Sequence, residues 1–106
     1  MNPWLILLTA GPFEMGWPLG FKLAQTAPAW RVPAIGFSIV SMAMSGLLLY
    51  LAQRHIAIGT AYAVWTGIGA AGTFCLGVLL FGDAPSAGRI AGVALIICGV
   101  AALKLF

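Results

Sequence analysis

The chain has 106 residues, of which 62% are apolar and only 7% are charged, five Lys/Arg against two Asp/Glu. A soluble domain of this length needs charge over most of its surface, and about a quarter of an average soluble sequence is charged. The composition therefore describes a protein solvated mainly by lipid. The formal net charge of +3 does not point to nucleic acid, because the basic residues Lys22, Arg31, Arg54, Arg89 and Lys104 are isolated from one another by apolar runs and form no patch.

Counting between charges predicts the elements in chain order. Pro3 to Phe21 holds one charge, Glu14, in 19 residues; Val32 to Gln53 holds none in 22; His55 to Gly82 holds none in 28. Each run is long enough to cross a bilayer, since about 20 helical residues span about 30 Å. The last run, Ile90 to Leu103, has 14 uncharged residues. It spans if Ala84 to Phe106 is one helix whose flanking cations, Arg89 and Lys104, reach back to the headgroups. The turns are marked by Pro28, Arg31 and Pro33, by Arg54 and His55, and by Gly82-Asp83-Ala84-Pro85. The expectation is an all-α membrane protein, a single domain over residues 1–106 with four transmembrane helices at about 3–22, 32–53, 56–82 and 84–105. A cleaved signal peptide is disfavoured: no Lys or Arg precedes the first apolar stretch, and Glu14 interrupts it.

With four crossings, Arg54 and Lys104 fall on one side of the membrane and Lys22, Arg31 and Arg89 on the other, two cations against three. Topology follows Lys/Arg bias, and this bias is nearly absent. Charge counting alone leaves open whether the chain inserts one way up or both.

A carboxylate near the middle of the first helix is the residue that asks for chemistry. An unpaired charge in hydrocarbon is costly, and the sequence places no cation at the depth of Glu14. A proton, a second subunit or a bound cation is needed to neutralise it, and proton and cation can compete for one carboxylate. Such competition is a transport mechanism. The alternative is a protonated Glu that only hydrogen-bonds in a helix interface.

Gly11, Glu14, Trp17 and Pro18 share a helix face, which sets an indole beside the carboxylate, a combination suited to an organic cation. Pro12 and Pro18 remove the backbone donors for the carbonyls of Leu8 and Glu14, so the first helix is expected to bend on both sides of its acid. Ser38, Ser41 and Ser45 form one stripe on the second helix, from which one serine is expected at the site. Tyr62, Trp65 and Thr66 form a face on the third, where aromatics at this spacing are more often packing than pocket. Gly67-Ile-Gly69-Ala-Ala-Gly72 matches a dinucleotide-loop pattern but lies in an apolar run without a βαβ context or a following acid. Its glycines, with Gly16-x-x-x-Gly20 and Gly88-x-x-x-Gly92, are read as sites of close helix approach. Cys75 and Cys98 lie inside predicted spans without His or Asp partners and are read as small packing residues. The lone His55 sits at a turn with no nucleophile beside it, so no enzyme chemistry, metal or cofactor is indicated.

These residues resemble the small multidrug resistance family, and most closely its guanidinium exporter branch. The likeness is carried by Glu14 with Gly11, Trp17 and Lys22, and by the third-helix string from Gly59-Thr60-Ala61-Tyr62 through Trp65-Thr66-Gly67-Ile68-Gly69-Ala70. The resemblance implies an antiparallel, dual-topology homodimer in a bacterial inner membrane that exports a small cation in exchange for protons. It implies Glu14 as the proton and substrate carboxylate, with Gly11, Trp17, Ser45, Tyr62 and Trp65 around it. Trp17 and Ser45 would hold the carboxylate by hydrogen bonds, Tyr62 would gate or link the two sites, and Trp65 would wall the pocket. Gly67 and Gly69 would bend the third helix, and Gly92, Leu95, Ile96, Gly99 and Val100 would form the dimer seam.

In such a dimer two copies of Glu14 brought close repel when both are ionised. Guanidinium does not give up its own proton, so the carboxylates carry the exchanged protons, and its planar N–H fork matches a carboxylate. The chain departs from the family pattern at Pro12, Gly16 and Pro18, beside the acid. Three functions follow: a proton-coupled exporter of guanidinium or a small guanidinyl cation; an exporter of quaternary-ammonium or other lipophilic cations; and a non-transporting membrane interaction subunit.

Overall fold

The computed structural model describes residues 2–106. Helix α1 (Pro3–Thr26) begins where Asn2 accepts a hydrogen bond from the Trp4 N–H at 2.8 Å, with Pro3 in the first helical position. An Asn cap satisfies a donor that the helix start leaves free, and a proline there forfeits none. The helix continues through Pro12 and Pro18 and ends four residues beyond the expected Lys22. Nothing between Lys22 and Thr26 disfavours a helix. The stop comes from Pro28, which pushes the preceding Ala27 out of helical geometry, to φ −130° and ψ 80°.

A 3-10 turn at Pro28–Trp30 leads into α2 (Arg31–Ala52), which accommodates Pro33 in its first turn, where N–H groups have no intrahelical acceptor. Helix α3 (Ile58–Phe81) ends at Gly82, whose φ of 71° is left-handed, and the Asp83 N–H returns to the Gly77 carbonyl at 3.0 Å. A left-handed glycine closing a helix this way satisfies carbonyls the helix end would orphan.

Helix α4 (Ala87–Leu105) starts three residues later than the expected Ala84. Pro85 stands before it, and Ser86 supplies the cap, accepting from the Arg89 N–H at 3.3 Å. Arg89 turns out of the helix to donate to the Ala84 carbonyl at 3.2 Å, and Lys104 sits 5.2 Å from the centre of the Trp4 ring. Both cations of α4 thus lie at its ends, as long basic side chains do at membrane boundaries.

Among the described residues, three segments are long and apolar enough to cross a membrane: Pro28–Ala52, Ile58–Phe81 and Ala87–Leu105. Helix α1 has the length but carries Glu14 and Lys22, and it is the helix most enclosed by the others. It packs along α2 and also against α3, while α4 packs chiefly on α3 and reaches α1 through Lys104 at Trp4. The small apolar core, Leu7, Ala52, Ala61 and Val64, lies where α1, α2 and α3 meet. The whole is a slab of 45 × 34 × 18 Å.

Candidate functional site around Glu14

The seam between α1 and α2 is built from small residues. A Cβ on Gly16 would stand 2.6 Å from Ser41 Oγ, and one on Gly20 would stand 2.7 Å from the Ala34 carbonyl and closer still to Ser38 Oγ. Only glycine lets the two backbones approach this closely, so the Gly16-x-x-x-Gly20 spacing does serve helix pairing. All three stripe serines are buried in this seam, Ser38 and Ser45 completely.

On the other side of α1, Glu14 faces α3. Its side chain is half-buried, and the indole N–H of Trp17 donates to Glu14 Oε1. The α3 backbone comes up to the stem of the acid at Gly69, where a Cβ would meet Glu14 Cγ at 2.5 Å. Gly69 therefore acts through its missing side chain, making room for the carboxylate, alongside any bend. Gly67 does the same towards α4, where a Cβ would stand 2.6 Å from Val100 and 3.3 Å from Ile96.

A cleft of about 270 Å³ opens at Glu14, lined by Trp17, Pro18, Thr66, Gly69, Ala70 and Thr73. Thr66, Gly69, Ala70 and Thr73 fall at i, i+3, i+4 and i+7 on α3, one helical stripe. That periodicity is present in the sequence and would have found Ala70 and Thr73, which the aromatic face at Tyr62 and Trp65 overshadowed. Pro18 and Thr73 also line a neighbouring cavity of about 260 Å³ that reaches Lys22 and Asp83, so the cleft continues towards the ends of α1 and α3.

The other expected site residues form a second group. The Ser45 hydroxyl donates to the Ala10 carbonyl at 2.9 Å and accepts from the Trp65 indole N–H at 2.7 Å. The Ser45 hydroxyl is thus engaged by Ala10 and Trp65, while the hydrogen bond to the Glu14 carboxylate comes from Trp17. Tyr62 rests on Trp65 with ring centres 5.5 Å apart and is 56% exposed. Gly11 is buried against Ile68, whose Cγ2 would clash with an added Cβ, and serves packing within the chain. On α4, Ile96 and Val100 face Gly67, whereas Gly92, Leu95 and Gly99 are exposed, with nothing within 4 Å of a Cβ built on either glycine.

Chemically, the site offers one carboxylate with an indole donor on one oxygen, two threonines across a small cleft and, among the described residues, no Lys or Arg in its lining: Arg31, Arg54, Arg89 and Lys104 occupy helix ends or turns, and Lys22 lies about two turns further along α1. A small positively charged ligand with N–H donors complements that set.

Comparison with known proteins shows the family. The family model for the Small Multidrug Resistance protein matches residues 2–96. A protein of Yersinia pseudotuberculosis named guanidinium exporter is 44% identical over 102 residues, covering 96% of each chain. One of Citrobacter freundii with the same name is 41% identical, covering 96% of this chain and 95% of its own; another, of Salmonella typhimurium, matches to the same extent. The chain belongs to the small multidrug resistance family.

Proposed function

We propose that the protein is a proton-coupled antiporter that exports guanidinium or a small guanidinyl cation, with Glu14 exchanging a proton for the substrate. The observation that carries this reading is the Glu14 carboxylate itself. It is half-buried in a helix without a neighbouring cation, fixed on one oxygen by Trp17 and open to a cleft. An ionised carboxylate in such a place needs a proton or a cation, and binding of one displaces the other. A planar cation donating two N–H groups fits the carboxylate edge, and Thr66 and Thr73 supply acceptors on the facing helix.

A slab 18 Å thick is a narrow frame for a transport pathway, which supports a second copy completing it. Helix α4 supports that role: none of its residues is buried, and Gly88, Gly92 and Gly99 are open for the approach of another helix. In the proposed assembly α1 crosses the membrane with the other three helices, and two chains pair in opposite orientations in a bacterial inner membrane. The near balance of two cations against three is what dual insertion needs.

Pro18 gives one specific reason to weigh a second substrate class. It lines the cleft beside Glu14, and a proline where the helix would otherwise be regular alters the wall that bounds the cation. An exporter of quaternary-ammonium cations uses the same fold and acid. Transport current in proteoliposomes, with guanidinium and then a tetraalkylammonium perfused over wild type and Glu14→Gln, separates the two. Guanidinium current that vanishes in the variant is expected. Current with the alkylammonium alone would keep the mechanism and move the substrate class, and wild-type and variant currents that match would overturn the role of Glu14.

A further inference from the structure

Of the three stripe serines, Ser45 already belongs to the expected site, yet Ser38 makes a bond of the same kind nearer the acid. Its side chain is completely buried, and its hydroxyl donates to the Trp17 carbonyl at 2.8 Å, across 21 residues of sequence. Gly20 leaves the space that lets it do so, because a Cβ there would fall on Ser38 Oγ. Trp17 in turn donates its indole N–H to Glu14. The result is an unbroken path from the backbone of α2, through one residue of α1, to the carboxylate.

The local sequence weakens the stretch of α1 that this path supports. Pro18 has no N–H to give the Glu14 carbonyl, and its ring crowds that carbonyl, so the turn from Glu14 to Pro18 is the weak turn of α1. Within a membrane no water stands ready to replace the lost bond, and hydroxyls of neighbouring helices are what steady a proline-containing helix. Ser45 fastens α1 at Ala10, four residues before Glu14, and Ser38 fastens it at Trp17, three residues after. Pro12 and Pro18 both fall close to the segment between these two fastenings.

We infer that Ser38 is a positioning residue for Glu14: by holding the Trp17 carbonyl it orients the indole that holds the carboxylate. Ser38 is absent from the lining of the cleft and acts only through Trp17. The functional half of the inference rests on Glu14 as the transport carboxylate; the structural half does not.

The test uses the full-length protein in bilayers, comparing wild type, Ser38→Ala, Ser38→Thr and Ser41→Ala. Ser41 is the comparator because it is as buried as Ser38 and packs in the same seam on Gly16. The first readout is hydrogen-exchange protection of the Trp17 indole N–H, assigned by its loss in Trp17→Phe. Loss of one ordinary hydrogen bond corresponds to about five-fold. Protection is expected to fall by about that factor in Ser38→Ala and to hold in Ser38→Thr and Ser41→Ala. The second readout is guanidinium transport, where KM rises by a similar factor in Ser38→Ala while kcat is retained.

Unchanged indole protection in Ser38→Ala, an equal loss in Ser41→Ala, or an unchanged KM would each overturn the inference. Guanidinium transport that survives Glu14→Gln would instead count against the proposed function, and it would leave the indole readout to stand by itself.

Discussion

Two pairs of glycines with identical spacing meet opposite fates in this molecule. Gly16 and Gly20 on α1 are buried under Ser41 and Ser38, with no room for a methyl group, whereas Gly88 and Gly92 on α4 face nothing within 4 Å. The first pair is consumed by folding of one chain, and the second remains available for another. The difference teaches that small-xxx-small spacing announces close helix approach without saying which helix approaches. It also separates the protein into a tight, polar-stitched seam that sets the position of Glu14 and an open face suited to assembly.

Substitutions at the two pairs sharpen that contrast. Gly20→Val places a branched side chain against the Ala34 carbonyl and Ser38, with no flexible neighbour to yield. Overpacking of this kind costs about 1–3 kcal/mol or more. It should lower the thermal unfolding midpoint in detergent and impair folding of the single chain. Gly92→Leu fills open space within the chain, so helix content and monomer stability should be kept while cross-linking between chains is lost. If Gly92→Leu instead unfolds the chain, or leaves cross-linking intact, the division into an inner seam and an assembly face fails.

A smaller and more local effect is expected at Gly69. Gly69→Ala puts a methyl group against the stem of Glu14, displacing the carboxylate without disturbing the α1–α2 seam. Guanidinium affinity should drop by about ten-fold, equivalent to roughly 1.4 kcal/mol, with little change in thermal stability. Isothermal titration of guanidinium checks it. The smallest effect belongs to Ser41→Ala, which removes a hydroxyl from the seam and leaves the bonds of Ser38 and Ser45 in place. Its unfolding free energy should match that of wild type within about 0.5 kcal/mol.

Much of the architecture is legible in the sequence because charge placement and helix periodicity are local. The gaps between Lys22, Arg31, Arg54, Arg89 and Lys104 locate the helices, and the i, i+3 spacing of Glu14 and Trp17 anticipates their hydrogen bond. Helix ends are less legible. Thr26 extends α1 because only Pro28 stops it, and Ser86 shortens α4 by capping it after Pro85. The partners of hydroxyls are least legible of all. The stripe of Ser38, Ser41 and Ser45 is plain from spacing, but which backbone carbonyl each finds depends on how α2 settles on α1, a tertiary fact. The same holds for Gly69, whose contact with Glu14 exists only once α3 lies across α1.

The central claim is that one carboxylate serves proton and cation in turn, and proton release on binding tests it most directly. Guanidinium added to the detergent-solubilised protein in weakly buffered medium should release protons from wild type. It should release none from Glu14→Gln, and guanidinium affinity should weaken as the medium is made more acidic. Guanidinium binding by wild type without proton release, or equal release from Glu14→Gln, would contradict the account.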